Sequence, residues 1–175
     1  MSGRHPDERE GEVLLPFDPG EAIGGPRIMY IGRIKSPWPS RKSCPRNISI
    51  ARREMRQAGQ TAKLHIDAAF RPGLMSLGLY THLIVMYWMH DAARHIIIQR
   101  PHTMRGPRGV FSLRSPVRPN PIALATVKVL SIDEDAGIIE IDAIDCMDGT
   151  PLVDIKPWME SIDAPEDFCK DREEE

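Results

Sequence analysis

Ile122-Ala123-Leu124-Ala125-Thr126-Val127-Lys128-Val129-Leu130-Ser131-Ile132, then Asp133-Glu134-Asp135-Ala136-Gly137, then Ile138-Ile139-Glu140-Ile141-Asp142-Ala143-Ile144: two β-branched runs flank a short acidic turn that ends in glycine. This composition predicts a β-hairpin. The neighbouring segments read the same way. Arg27–Lys35 is short and β-branched around Gly32, and Lys63–Phe70 alternates loosely. Thr81–Met89 is continuously apolar and aromatic, as a strand buried on both faces would be. Gly109–Leu113 and Leu152–Ile155 are further short strand candidates. The clear helix is Ile48–Gly59, polar and basic, and a helical turn is expected near Leu74–Leu79. Sixteen prolines disfavour a helical bundle. Short strands between turn signals predict a mostly β fold, a compact barrel with one or two short helices.

Working outward, the body is expected to span residues 27–168. Residues 1–26 are rich in Pro, Gly, Asp and Glu and read as a flexible arm, docked in part through Val13-Leu14-Leu15. Residues 169–175 form a charged tail. A length of 175 residues suits one domain with a core. Hydrophobic residues make up 41% and charged residues 27%, as in a soluble globular protein. Cys44, Cys146 and Cys169 are scattered and odd in number, which argues against a disulfide framework and for a reducing, cytoplasmic compartment. The start of the chain lacks the apolar stretch of a secretory signal, and Leu83–Met89 is too short to cross a bilayer.

The formal net charge of −2 excludes a generally basic nucleic-acid binder, so any RNA contact must be a local patch. Two segments qualify. Residues 27–56 carry nine Lys and Arg against the lone acid Glu54, and residues 92–132 contain no acid at all. The alternative for both is a solvated surface.

The most unusual stretch is Gly109-Val110-Phe111-Ser112-Leu113-Arg114-Ser115-Pro116-Val117-Arg118-Pro119-Asn120-Pro121-Ile122. Its prolines fix φ and push the preceding residues to extended shapes, giving a stiff loop that presents Arg114, Arg118 and Asn120. Guanidinium groups on such a loop suit a carboxylate or a phosphate; the structural alternative is a Pro-rich connection with solvated arginines. In a strand, Ile139, Ile141 and Ala143 share a face, and continued alternation would put Asp145 on it, where a carboxylate needs a partner or a task. Asp148-Gly149-Thr150-Pro151 is a turn signal, and Asp154 and Lys156 are spaced to pair with each other or across a subunit boundary. The spacing of His82, His90 and His95 fits no familiar metal pattern, so no metal is expected. No Gly-x-Gly-x-x-Gly follows a strand, so a Rossmann-type crevice is not indicated.

Five pieces in order resemble the TsaA-like (YaeB-like) family of tRNA threonylcarbamoyladenosine methyltransferases. They are Ile31–Trp38, Pro45-Arg46-Asn47, Thr81-His82-Leu83 running to His90, Gly109–Leu124, and Asp145–Trp158 followed by Asp163. The resemblance implies a homodimeric β-barrel that binds S-adenosyl-L-methionine and methylates N6 of N6-threonylcarbamoyladenosine beside the tRNA anticodon. It implies cofactor contacts at Pro45, Arg46, Asn47, His90, Asp91, Arg114, Leu124, Asp142, Ala143, Ile144 and Asp145. Substrate contacts are expected at Arg118, Asn120, Asp148, Thr150 and Lys156. Asp145 is the first candidate for the proton acceptor and His90 the second. The chain departs from the family pattern with Asn47 in place of the usual Gln and Ala123 in place of the usual Gly. It also ends where many bacterial members continue into a C-terminal domain. That last departure motivates one alternative, a small-metabolite acceptor; a second, separate alternative is a non-catalytic S-adenosylmethionine-binding regulator on the same barrel.

Overall fold

The structure is a computed structural model that describes residues 13–14, 28–101 and 104–164. In chain order its elements are β1 (Val13–Leu14), β2 (Gly32–Lys35), α1 (Ile48–Ala58), β3 (Ala62–Ile66), 3-10 turns at Ala68–Leu74 and Leu77–Leu79, β4 (His82–Trp88) and β5 (Ile96–Gln99). Next come β6 (Arg108–Gly109), a 3-10 turn at Val110–Ser112, β7 (Ile122–Asp133), β8 (Ile138–Ile141), β9 (Pro151–Pro157) and the short helix α2 (Glu160–Asp163). Six strands close a barrel in the order β2-β3-β8-β7-β4-β9, and β1-β5-β6 form a separate sheet. The expected mostly β barrel is the observed fold.

The chain divides into two compact units. Among the described residues, one unit holds residues 13–14, 28–29 and 87–123, and the other holds residues 30–86 and 124–164. In the second unit the hairpin forms as its composition predicts. β7 pairs antiparallel with β8, with a bulge between Val129 and Ser131. Asp133 Oδ1 accepts the Ala136 N–H, and Gly137 donates to the Asp133 carbonyl at φ +71, a left-handed conformation suited to glycine. Ile34, Leu64, Leu83, Val85, Val127, Ile139, Ile141 and Leu152 are all fully buried and form the apolar core of this unit. Burial of each such side chain is worth roughly 1.5–3 kcal/mol.

The helix α1 begins at Asn47, whose side-chain oxygen accepts the Ile50 N–H at 2.9 Å. It ends at Gly59 with φ +64. Ala51 and Met55, four residues apart on one face, are fully buried.

Several expectations are corrected. β4 is not buried on both faces: Leu83, Val85 and Tyr87 are buried and the alternate residues only half so, because a barrel strand has one face inside and one outside. Lys63–Phe70 is a strand only to Ile66. Past that point the Ile66 N–H is taken by Gly137 O, and Pro72 sits in a 3-10 turn. Of Gly109–Leu113 only Gly109 lies in a strand, β6, and Val110–Ser112 is a 3-10 turn. The carbonyls of Val110 and Leu113 both accept from Arg118 Nη2, at 2.7 and 2.9 Å, so no neighbouring strand supplies their hydrogen bonds. Val13–Leu14 pairs with Ile96–Ile98, while Leu15, the rest of the arm and the tail 169–175 lie outside the described residues. β5 had no counterpart in the expectations. No helix among the described residues is long and apolar enough to cross a membrane.

Candidate functional site

In the second unit, three hydrogen bonds clamp the segment leading into α1 onto the chain that follows β8. Ser36 Oγ donates to Cys146 O at 2.7 Å, Trp38 Nε1 to Ile144 O at 2.8 Å, and Cys44 Sγ to Asp145 O at 3.2 Å. Pro45-Arg46-Asn47 and Ala143-Ile144-Asp145 are about a hundred residues apart in sequence and become neighbours. Of the expected cofactor contacts of this unit, Pro45–Asn47 and Ala143–Asp145 therefore meet at one structural junction. Ser36, Trp38 and Cys44, which build the junction, had been given no role. The only hint in the sequence is a tryptophan held between Pro37 and Pro39.

The surroundings of Asp145 differ from the alternation argument. β8 stops at Ile141, and Ala143, Ile144 and Cys146 are all fully buried, so residue parity is lost. Asp145 is half-buried rather than set into the apolar face. Ala143 and Ile144 have only backbone to offer a ligand, and Ile144 O already accepts from Trp38. Asn47 uses its amide oxygen as the helix cap, which leaves its NH2 for other contacts. Arg46 is exposed beside it, and Leu124 is 45% exposed.

Asp142 is held internally. Its Oδ2 accepts from Arg52 Nε at 2.6 Å and its Oδ1 from the Lys128 N–H at 2.8 Å, while Arg52 Nη2 donates to Thr126 O. The pair is largely shielded, with side chains 31% and 19% exposed. Losing either partner would strand a charge there.

In the second unit, the residues expected to meet substrate have partners within the protein. Asp148 accepts from Lys35 Nζ at 2.9 Å and from the Ser36 N–H at 3.1 Å. Burial opposes its ionisation, but Lys35 and the Ser36 N–H outweigh burial and hold its carboxyl below the usual carboxylate range. Thr150 is buried, and its hydroxyl donates to Met147 O. Lys156 pairs with Asp154 at 2.8 Å, and that hydrogen bond raises its pKa. Asp148 and Thr150 thus brace the turn around Gly149, whose φ is +80.

The first unit has its own cluster. The Met89 N–H donates to Pro121 O, and Arg94 Nε to Pro119 O at 2.7 Å. Arg94 also stacks over the Trp88 ring at 5.3 Å. These bonds bring the His90-Asp91 segment against the Pro-rich loop that carries Asn120. His90 Nε2 lies 3.6 Å from Asp91 Oδ1, with both side chains well exposed. Arg114 is exposed on this loop, whereas Arg118 turns inward to the Val110 and Leu113 carbonyls. The stiff loop thus uses one of its arginines to hold its own shape.

Burial, and second the charge of Asp145, push the Cys44 thiol from 9.0 up to about 11. Near neutral pH it stays a thiol, a poor competitor for any electrophile bound beside it. The buried Cys146 thiol is pushed up in the same way, chiefly by burial. A raised acid pKa means that the folded state holds its proton where the unfolded chain has released it. Stability is therefore intact below pH 9 and falls as pH rises toward 11. For the half-exposed Cys44 the loss is about 1 kcal/mol after discounting for solvent. Urea unfolding followed from about pH 8 upward should show this decline, and Cys44→Ser should reduce it. Equal slopes for the two proteins would contradict the assignment.

The family model of the tRNA-methyltransferase O N-terminal domain matches residues 33–164. A probable S-adenosyl-L-methionine-binding protein of Methanothermobacter thermautotrophicus is 35% identical over 138 residues, covering 79% of this chain and 93% of that protein. The tRNA (adenine(37)-N6)-methyltransferase of Escherichia coli is 31% identical over 140 residues, covering 74% of this chain but only 56% of the enzyme. A crystal structure of TrmO superposes with a TM-score of 0.65 at 26% identity, covering 84% of this chain and 64% of that one.

Proposed function

The chain belongs to the family of the tRNA-methyltransferase O N-terminal domain, and from that membership we propose that it is an S-adenosylmethionine-dependent methyltransferase acting on N6 of N6-threonylcarbamoyladenosine at tRNA position 37. The observation that carries this reading is the junction in which Cys44 and Trp38 tie the Pro45–Asn47 segment to Ile144 and Asp145. The name of the Escherichia coli relative supports N6 of adenine 37 in tRNA as the acceptor position. The residues at the junction fit the cofactor chemically: Asp145 offers a carboxylate for a ribose diol or a cationic sulfur, and Arg46 offers a guanidinium for a carboxylate.

When bound, S-adenosylmethionine supplies a methyl group already activated on a sulfonium sulfur. What remains for the chain is alignment, water exclusion and one proton. Asp145 accepts the proton that N6 must lose, with His90 as second candidate. Arg114 grips a carboxylate, either of the cofactor or of the threonyl group. The module is residues 27–168. It acts as a cytoplasmic homodimer, for which Met75 and Leu79, 77% and 80% exposed, offer apolar surface.

The test is to incubate the protein with methyl-labelled S-adenosylmethionine and either tRNA or a small-metabolite extract. Label should appear in a tRNA nucleoside. Label confined to small molecules would replace the acceptor, and calorimetric binding without any transfer would make the protein a cofactor-sensing regulator.

A further inference from the structure

We infer that the outward face of α1 is a docking surface for the phosphodiester backbone of the RNA acceptor. The inference rests on the acceptor proposed above and adds the surface that holds it. Ser49, Arg52, Arg53, Arg56 and Gln57 line one open groove on this helix. At about 100° per residue these five positions share a face opposite the buried Ala51 and Met55. Glu54, the lone acid, lies about 100° round from Arg53, at the flank.

The three arginines have different partners. Arg52 is taken by Asp142 and Thr126 O. The side chains of Arg53 and Arg56 are exposed and make no hydrogen bond or ion pair among the described residues. Like charges one turn apart disfavour the helix. Arg56, in the last turn, is partly offset by the helix dipole, but Arg53 is not. Two guanidinium groups one turn apart, with a hydroxyl and an amide beside them, fit a row of phosphates.

The same face argues against other occupants. It has no apolar or aromatic anchor of the kind a protein interface needs at its centre. A membrane-surface helix presents its apolar face outward, and that of α1 is buried. The position also suits the reaction. Asn47 opens α1, and Arg52 clamps Asp142 just ahead of Asp145, so a grip on this helix is mechanically tied to the junction within the same unit.

The experiment measures tRNA binding by the full chain against salt concentration, for wild type and for Arg53→Gln with Arg56→Gln. Loss of two phosphate contacts should weaken binding at least about fivefold near physiological salt and flatten the log–log salt slope by about 1.5 to 2. Calorimetric S-adenosylmethionine binding and the melting temperature should stay at wild-type values, since neither side chain is buried or bonded. Glu54→Gln, at the flank, should leave the slope unchanged. A wild-type slope in the double variant of a protein that does methylate tRNA overturns this surface alone. A wild-type protein that neither binds nor methylates tRNA overturns the acceptor, and this inference with it.

Discussion

Gly32→Ala is expected to destabilise the protein by at least about 3 kcal/mol, because the added methyl has nowhere to go. A Cβ at this position would lie 1.9 Å from the His65 carbonyl oxygen, 2.9 Å from its carbon and 3.1 Å from the Ile66 Cα. All three are backbone atoms of the paired strand β3, where Gly32 faces Ile66 and Arg33 faces His65. No side-chain rotation relieves such a clash; β2 must move off β3. β2 also pairs with β9 through Gly32↔Leu152 and Arg33↔Pro151, so the shift opens the barrel on both sides of β2. For a chain of this size the loss corresponds to a fall in melting temperature of roughly 6–12 °C. Thermal unfolding followed by circular dichroism measures it directly. A melting point within about 2 °C of wild type would mean that the strands do not approach so closely.

Asp145→Asn should lower kcat at least about 100-fold, while the lost charge at the cofactor weakens its binding by no more than about tenfold. The acceptor nitrogen carries a carbonyl substituent that withdraws its lone pair, so removal of its proton is a large part of the barrier. A carboxamide keeps the shape of the carboxylate but cannot take that proton. The backbone of residue 145 is held through its carbonyl by Cys44 and is flanked by the buried Ile144 and Cys146. The substitution therefore changes the chemistry of the side chain and leaves its position alone. Single-turnover kinetics and calorimetry separate the two possible tasks. A near-normal kcat with much weaker cofactor binding would make Asp145 a ribose holder and pass the proton to His90 or to solvent.

The hairpin, the helix and the Pro-rich loop were legible because each is written in neighbouring residues. Asp133 and Gly137 set the turn, Asn47 and Gly59 set the ends of α1, and Pro116, Pro119 and Pro121 set the loop. The family was legible for the same reason, since its motifs are unbroken strings. The tasks of individual polar residues were less legible. Arg118 has the look of a ligand reader but holds two carbonyls of its own loop, and Asp142 has the look of a cofactor contact but is held by Arg52. Nothing local distinguishes a guanidinium that turns outward from one that satisfies the backbone behind it.

By itself, the sequence determined the barrel class, the turns, the helix and the family, because periodicity, proline and glycine act over a few residues. Only the tertiary structure decided that Pro45–Asn47 meets Ile144 and Asp145, that Asp145 escapes the apolar face, and that Arg52 is paired while Arg53 and Arg56 are left outward. Those outcomes depend on hydrogen bonds between residues about a hundred positions apart, and barrel closure chooses their partners.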